Sequence, residues 1–243
     1  MRALFIQQDH VSPVGPVGER LADRGYQIHE FNVVPGDRHH EPGVRVDFPD
    51  PLDYDLIVPM GAPWSVYDQD RIGSWINDEL AMLRRAHAAG VPVLGICFGG
   101  QALAAALGGT VVRAERGELG WVTLRTERPG LIDAGPWFEW HTDRWILPAG
   151  IEAIARTDAA EQAFVCGRSL GLQFHPEVTP DTLRLWLGSD GDDPALAGVT
   201  DYGPLLAETD RIAGANNDRA RHLVDRFLDQ VASAEPVPVP ALR

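Results

Sequence analysis

The chain has 243 residues, 44% of them hydrophobic and 23% charged, the composition of a soluble globular protein long enough for a sizeable core. Acidic residues outnumber basic ones by 35 to 21, a net charge of −14, which argues against a nucleic-acid footprint and against docking on an anionic membrane. Every basic residue is an arginine, so a lysine Schiff base and a phosphate-loop lysine are excluded, and no G-x-G-x-x-G follows a strand.

In chain order, Arg2–Gln7 reads as a short buried strand. Val17–Arg24 reads as a helix stopped by Gly25, and Tyr26–Val33 as a second strand. Pro35–Pro51 is a polar loop, and Asp55–Met60 a strand running into the turn Gly61-Ala62-Pro63. Ser74–Ala89 has helical periodicity, with Trp75, Leu80, Leu83 and Ala86 on one face and Gly90 as its end. Val91–Ile96 is an uninterrupted apolar run, as expected of a central parallel strand, and a helix follows over 100–107. The second half is richer in strands, expected at Gly120–Arg125, Trp145–Leu147, Ile151–Arg156, Gln162–Val165 and Ser169–Phe174. Thr182–Leu187 is a short helix, Gly188–Gly203 a loop rich in Gly and Asp, and Leu205–Ala232 a long, broken helix. Alternation of strands and helices predicts an α/β fold, a mostly parallel central sheet flanked by helices. One domain over 1–233 is expected, followed by a mobile Pro-rich tail over 234–243.

No segment is apolar over the length of a bilayer span, and the four-residue apolar stretch in MRALFIQQDH is short for a signal peptide. Two cysteines in a chain of this length do not make a disulfide framework. The expectation is a cytoplasmic protein with free thiols and no cofactor.

The first cysteine lies in GICFGGQ, residues 95–101, between an apolar strand and a helix. A residue on so sharp a turn projects at the carboxyl edge of the sheet, the geometry of a nucleophile elbow. Flanking glycines permit the turn, and the N-terminus of the following helix favours a thiolate. The N–H of Phe98 is placed to stabilise an oxyanion. Most free cysteines are small core residues, so Cys97 needs a base and an orienter to be read as more. GLQFHPEV, residues 171–178, supplies them: His175 ends an apolar strand, and Glu177 stands two residues on, within reach of one imidazole nitrogen. Pro176 pushes His175 toward an extended conformation.

With these segments, MGAPWSVYD (60–68) and WHTDRWILPAG (140–150) complete a set that resembles, in content and order, the class I glutamine amidotransferases. This is the triad family of the glutaminase parts of GMP synthetase, anthranilate synthase and carbamoyl phosphate synthetase. The resemblance covers roughly residues 50–190 and is closest in motifs to the GMP synthetase glutaminase. It implies a flavodoxin-like fold, Cys97 as nucleophile, His175 as base and Glu177 as its partner. It implies an oxyanion hole at Ala62 and Phe98, and substrate contacts at Gly61, Ser65, Val66, Gln101, His141 and Thr142. The reaction implied is hydrolysis of the glutamine side-chain amide through a cysteinyl thioester, with ammonia passed to a separate acceptor-activating protein. A γ-glutamyl hydrolase using the same triad, on a γ-glutamyl compound in place of L-glutamine, and a non-catalytic regulatory subunit are the rivals.

Gly61-Ala62-Pro63 departs from the family's usual Gly-Gly-Pro, and Ala62 is strained if the turn needs a positive φ. His141 competes with His175 as the base, but lacks a sequence neighbour that would orient it. His39-His40-Glu41 is a lone cluster in a polar loop, and Asp190-Gly191-Asp192-Asp193 lacks calcium-loop spacing, so no metal is expected. Cys166 reads as core packing, and the seven tryptophans as core or interface anchors.

Overall fold

The computed structural model describes residues 1–189, 196 and 201–235. The acidic run at 190–193, most of the expected loop around it and residues 236–243 of the expected tail lie outside the described residues.

The first half alternates strand and helix: β1 (Arg2–Gln7), α1 (Gly15–Asp23), β2 (Gln27–Asn32), β3 (Leu56–Pro59), α2 (Gln69–Ile72), α3 (Ile76–Ala88), β4 (Val93–Ile96) and α4 (Phe98–Ala106). The second half holds β5 (Thr110–Val122), β6 (Arg125–Thr126), β7 (Trp137–Ile146), β8 (Ala153–Arg156), β9 (Glu161–Cys166), β10 (Ser169–Leu172), α5 (Pro180–Ser189) and α6 (Gly203–Phe227), which runs into a π-helical turn at Leu228–Ala232. Eight strands form one sheet in the order β2-β1-β3-β4-β10-β9-β8-β6. Pairings from β2 through β10 are parallel, and those beyond β10 are antiparallel. The expected α/β fold with a mostly parallel central sheet is the observed one.

Both faces of the parallel part are covered. Ala3 and Phe5 face Val17, Leu21, Val224 and Phe227 of α1 and α6, while Leu4 and Ile6 face Trp75, Ile76, Leu83 and Leu103 on the other side. A strand buried on both faces has no polar alternation, which is why these segments read as continuous apolar runs. α1 and α6 are also joined by charge: Arg20 donates to both carboxylate oxygens of Asp225, at 2.9 and 2.8 Å. No helix among the described residues is long and apolar enough to cross a membrane.

The main departure from expectation is a separate antiparallel ribbon. β5 and β7 pair from Thr110 with Ile146 to Val122 with Trp137, interrupted by an irregularity between Arg113 and Glu118. The sequence suggested strand only at Gly120–Arg125 and Trp145–Leu147. The polar positions of β7 concealed the rest. Glu139, His141 and Asp143 alternate with Phe138 and Trp140, yet all five are buried. A buried polar row on a strand has the composition of a surface row, and periodicity alone does not tell them apart.

Candidate active site

β4 and β10 are parallel neighbours, with Gly95 opposite Gly171 and Ile96 opposite Leu172. Their carboxyl ends therefore deliver Cys97 and the segment from Gln173 to the same edge of the sheet. The N–H of Cys97 continues the ladder, donating to the carbonyl of Leu172 at 2.8 Å. At Cys97 the chain turns, with φ 49° and ψ −109°, and among the described residues it is the only non-glycine with positive φ. A side chain held in so sparsely populated a region is characteristic of functional sites. The glycines around it admit close backbone approach. A Cβ on Gly95 would lie 2.6 Å from the carbonyl oxygen of Gly99, and one on Gly99 or Gly100 would collide with the backbone of Pro59 or Leu172.

His175 lies at the end of the β10 segment, 4% exposed. Its backbone N–H donates to the carbonyl of Phe138 at 2.8 Å, so β7 of the ribbon holds the histidine in place. Its Nδ1 bonds Glu177 Oε1 at 2.7 Å, and a carboxylate can only accept there, so Nδ1 carries the proton. Glu177 is wholly buried. Nε2 of His175 is buried with no hydrogen-bond partner among the described residues, leaving it available to a reacting group. Burial disfavours a charged ring here, but the carboxylate of Glu177 and the neighbouring Cys97 outweigh it and hold His175 well above its ordinary pKa of 6.5. The segment is also pinned from behind, where buried Asn216 of α6 donates to the carbonyl of Val178 at 3.1 Å.

A cleft of about 200 Å³ opens over these groups. Its lining includes Gly61, Ala62, Ser65, Cys97, Phe98, Gln101, His141, Thr142 and His175. The side chain of Val66 packs in the hydrophobic core, outside that lining, while its expected substrate contact is through backbone groups. Ala62 does not adopt a positive φ, so the strain conditional on that geometry is absent. Gly99 N–H donates to the carbonyl of Met60 at 2.9 Å, tying the start of α4 to the turn that carries Ala62. Phe98 opens α4 and so has no carbonyl of its own helix to bond. Ala62 and Phe98 thus border the cleft from two elements joined to each other. Gly61 lies close under the ring, where a Cβ would be 3.0 Å from His175 Cε1.

Gln101 Nε2 donates to the carbonyl of Asp143 at 3.3 Å and to Gln173 Oε1 at 3.2 Å, and Gln173 Nε2 lies 3.7 Å from Cys97 Sγ. Gln173 was not singled out by sequence, although the alternation Gln173, His175, Glu177 placed it on the same side. Asp143 was also passed over as a site residue. It accepts from the hydroxyls of Ser65 and of Tyr67, the latter at 2.9 Å, and so fixes the loop after the Gly61 turn. Exposed Arg113 reaches the same place, 4.0 Å from Asp143 and donating to Thr142 Oγ1 at 2.9 Å.

The expectation that His141 lacks an orienting sequence neighbour is corrected: Glu139, two residues before it on β7, is one of two carboxylates beside its ring. His141 Nε2 lies 3.2 Å from Glu118 Oε2, a contact made across the ribbon, and 3.5 Å from Oε2 of Glu139. Burial first, and the neighbouring Glu118 second, push the Glu139 carboxyl well above its ordinary range. Cys166, read as core packing, sits half-buried 3.8 Å from Nε2 of His87.

A thiol on a strained elbow, an imidazole with one nitrogen bonded to a carboxylate and the other free, and two backbone donors beside them make the constellation for acyl transfer through a thioester. The glutamine amidotransferase class-I family model matches residues 17–185. Over 133 residues, 51% of the chain, the sequence is 37% identical to the glutamine-hydrolysing GMP synthase of Aquifex aeolicus, and over 132 residues it is 38% identical to that of Synechocystis sp.. The matched part is 24% and 23% of those proteins, so the chain spans about a quarter of the length of the curated relatives it matches. A glutamine amidotransferase from Methylobacillus flagellatus superposes with a TM-score of 0.78 at 26% identity, covering 96% of each chain. One from Thermotoga maritima superposes with the same TM-score at 24% identity, covering 95% of this chain and 99% of that one, a likeness of fold alone. The chain belongs to the class-I glutamine amidotransferase family.

Proposed function

We propose that the chain hydrolyses the side-chain amide of glutamine through a Cys97 thioester and supplies the ammonia to a separate acceptor protein. The observation that carries the reading is the 2.7 Å bond from His175 Nδ1 to buried Glu177, which leaves the opposite ring nitrogen without a hydrogen-bond partner among the described residues, beside the cleft that Cys97 and His175 line. In this mechanism Cys97 and His175 Nε2 share one proton, which rests on Nε2 as Sγ bonds to the amide carbon. The carbonyl oxygen takes the negative charge and is held by the N–H groups of Phe98 and Ala62. Collapse breaks the C–N bond, and His175 gives its proton to the departing nitrogen, which leaves as ammonia. Water then attacks the γ-glutamyl thioester, His175 takes a proton from it, and glutamate leaves with the thiol restored. Gln101, Ser65 and Arg113 stand where the amino-acid end of the substrate would lie; Arg113 offers an exposed guanidinium to a carboxylate.

The test is glutamate and ammonia release by the purified chain from glutamine, set against a panel of γ-glutamyl amines and peptides. Glutamine is expected to be cleaved, with the rate rising when the physiological acceptor protein is added. Faster cleavage of γ-glutamyl compounds than of glutamine would replace this reading with the hydrolase one. No cleavage of any of them, under any addition, would leave only a binding role.

A further inference from the structure

Beside the triad lies a second polar cluster that the mechanism does not use. Glu118 of β5 and Glu139 and His141 of β7 bring one ligand atom each within 4.8 Å of the others. Glu139 is wholly buried, and neither of its carboxylate oxygens has a hydrogen-bond donor among the described residues. His141 Nδ1 bonds the carbonyl of Asp143 at 2.9 Å. A carbonyl only accepts, so Nδ1 carries the proton, and in a neutral ring Nε2 is then a bare lone pair. Two carboxylates and an imidazole nitrogen therefore converge with one hydrogen-bond spacing among them, 3.2 Å between His141 Nε2 and Glu118 Oε2, and a positive charge at the centre would satisfy the Glu139 oxygens that this contact leaves out.

Distance decides what kind of charge fits. Charge-assisted N–H···O bonds are about 2.7–2.9 Å long. The two spacings from His141 Nε2 are 3.2 and 3.5 Å, both longer. For a tetrahedral ion with bonds of about 2.0–2.2 Å, the ligand-to-ligand edge is about 3.3–3.6 Å. Of the two observed spacings, 3.5 Å lies within that range and 3.2 Å just below it. The surroundings are also those of ligands rather than of a simple ion pair. The His141 tautomer is fixed through its far nitrogen, and Glu118 Oε2 accepts from Gln162 Nε2 at 2.7 Å and from Thr157 Oγ1 at 2.9 Å. His141 borders the cleft, which gives an ion an entry path.

We propose that Glu118, Glu139 and His141 form a binding site for one divalent first-row transition ion. An imidazole nitrogen with two carboxylates, and no sulfur, selects the borderline class that includes Zn²⁺ and Co²⁺ over soft ions. The site does not depend on what the thiol next to it does.

The experiment uses the full chain with Cys97→Ser, so that the active-site thiol cannot act as a ligand. After chelation and dialysis, the protein is titrated with Co²⁺ in the visible region and with Zn²⁺ by calorimetry. One ion per chain is expected, with the d–d absorption of tetrahedral Co²⁺. Glu139→Gln in the same background is expected to weaken binding at least tenfold, with the circular dichroism spectrum unchanged. Glu118→Gln is the second variant, to decide the matter if Glu139→Gln does not fold. The unsubstituted chain is expected to add no sulfur-to-cobalt charge-transfer band at the first equivalent. Absence of saturable binding, or affinity unchanged in both glutamine variants, would overturn the site and leave a proton as the charge that the cluster holds.

Discussion

The protein carries two cysteines, each with a histidine near it, at opposite edges of one sheet. Cys97 ends β4, where His175 faces it with Glu177 behind, and Cys166 ends β9, where His87 faces it with Ser169 behind. The two differ chiefly in the third group. Glu177 is a buried carboxylate 2.7 Å from its ring, and with Cys97 it holds His175 well above its ordinary pKa, against the effect of burial. Ser169 is a neutral hydroxyl 3.0 Å from its ring, so burial acts unopposed: it lowers His87 and pushes the Cys166 thiol up. A thiol and an imidazole in contact do not make a nucleophile. In the proposed mechanism, what separates the two sites is a negative charge placed to stabilise the imidazolium, together with the elbow at Cys97.

Several substitutions would sharpen or break this contrast. The largest effect is expected at the thiols themselves. Cys97→Ser is expected to lower glutamate release by roughly 10⁶-fold, as for removal of the nucleophile from a triad, and Cys166→Ser to change it by less than about two-fold. Steady-state assay of both variants checks this, and comparable losses would remove the distinction. Next come the third groups. Glu177→Gln keeps the shape but not the charge and is expected to cost on the order of 10²–10⁴-fold in kcat, whereas Ser169→Ala leaves kcat unchanged. A smaller effect is expected in labelling. A glutamine-like electrophile is expected to modify Cys97 about 10²-fold faster than Cys166, although Cys166 is the more exposed thiol. Peptide mapping of the singly labelled chain gives the answer, and label on Cys166 would favour accessibility over charge.

The smallest effect is on stability, and there the two histidines have opposite signs. His87 is held neutral, below 6.5, so the unfolded chain takes up its proton first. Its contribution is present above pH 6.5 and is lost as pH falls through its lowered native pKa. His175 is raised above 6.5, so its contribution is complete below that value and is lost as pH rises through its native pKa. Each slope is at most about 1.4 kcal/mol per pH unit. Wholly buried Glu79, pushed up to about 8, also lowers stability as pH rises, so the comparison is between variants and wild type. Melting temperatures over pH 5–8 are expected to show the acid-side slope flattened in His87→Gln and the alkaline-side slope flattened in His175→Gln. The same flattening in both would contradict the assignment.

Much of this was legible in the chain as written. Local order sufficed where a short segment contains its own reason. The continuous apolar runs of β1, β3 and β4 reflect burial on both faces, the glycines of GICFGG mark backbone contacts, and the His-Pro-Glu spacing sets the bond at 2.7 Å. What the tertiary structure alone decided is which distant segments meet. β4 and β10 pair as neighbours and bring Cys97 within reach of a strand end 76 residues away, a consequence of strand order that no local pattern encodes. The ribbon of β5 and β7 escaped a period-based reading because its inward row is polar. It nonetheless holds the backbone of His175, brings the Glu118 carboxylate of β5 to His141, and places Asp143 against Ser65 and Tyr67. Buried polar groups are satisfied by partners far along the chain, so their role is set by packing across elements and not by the residues on either side.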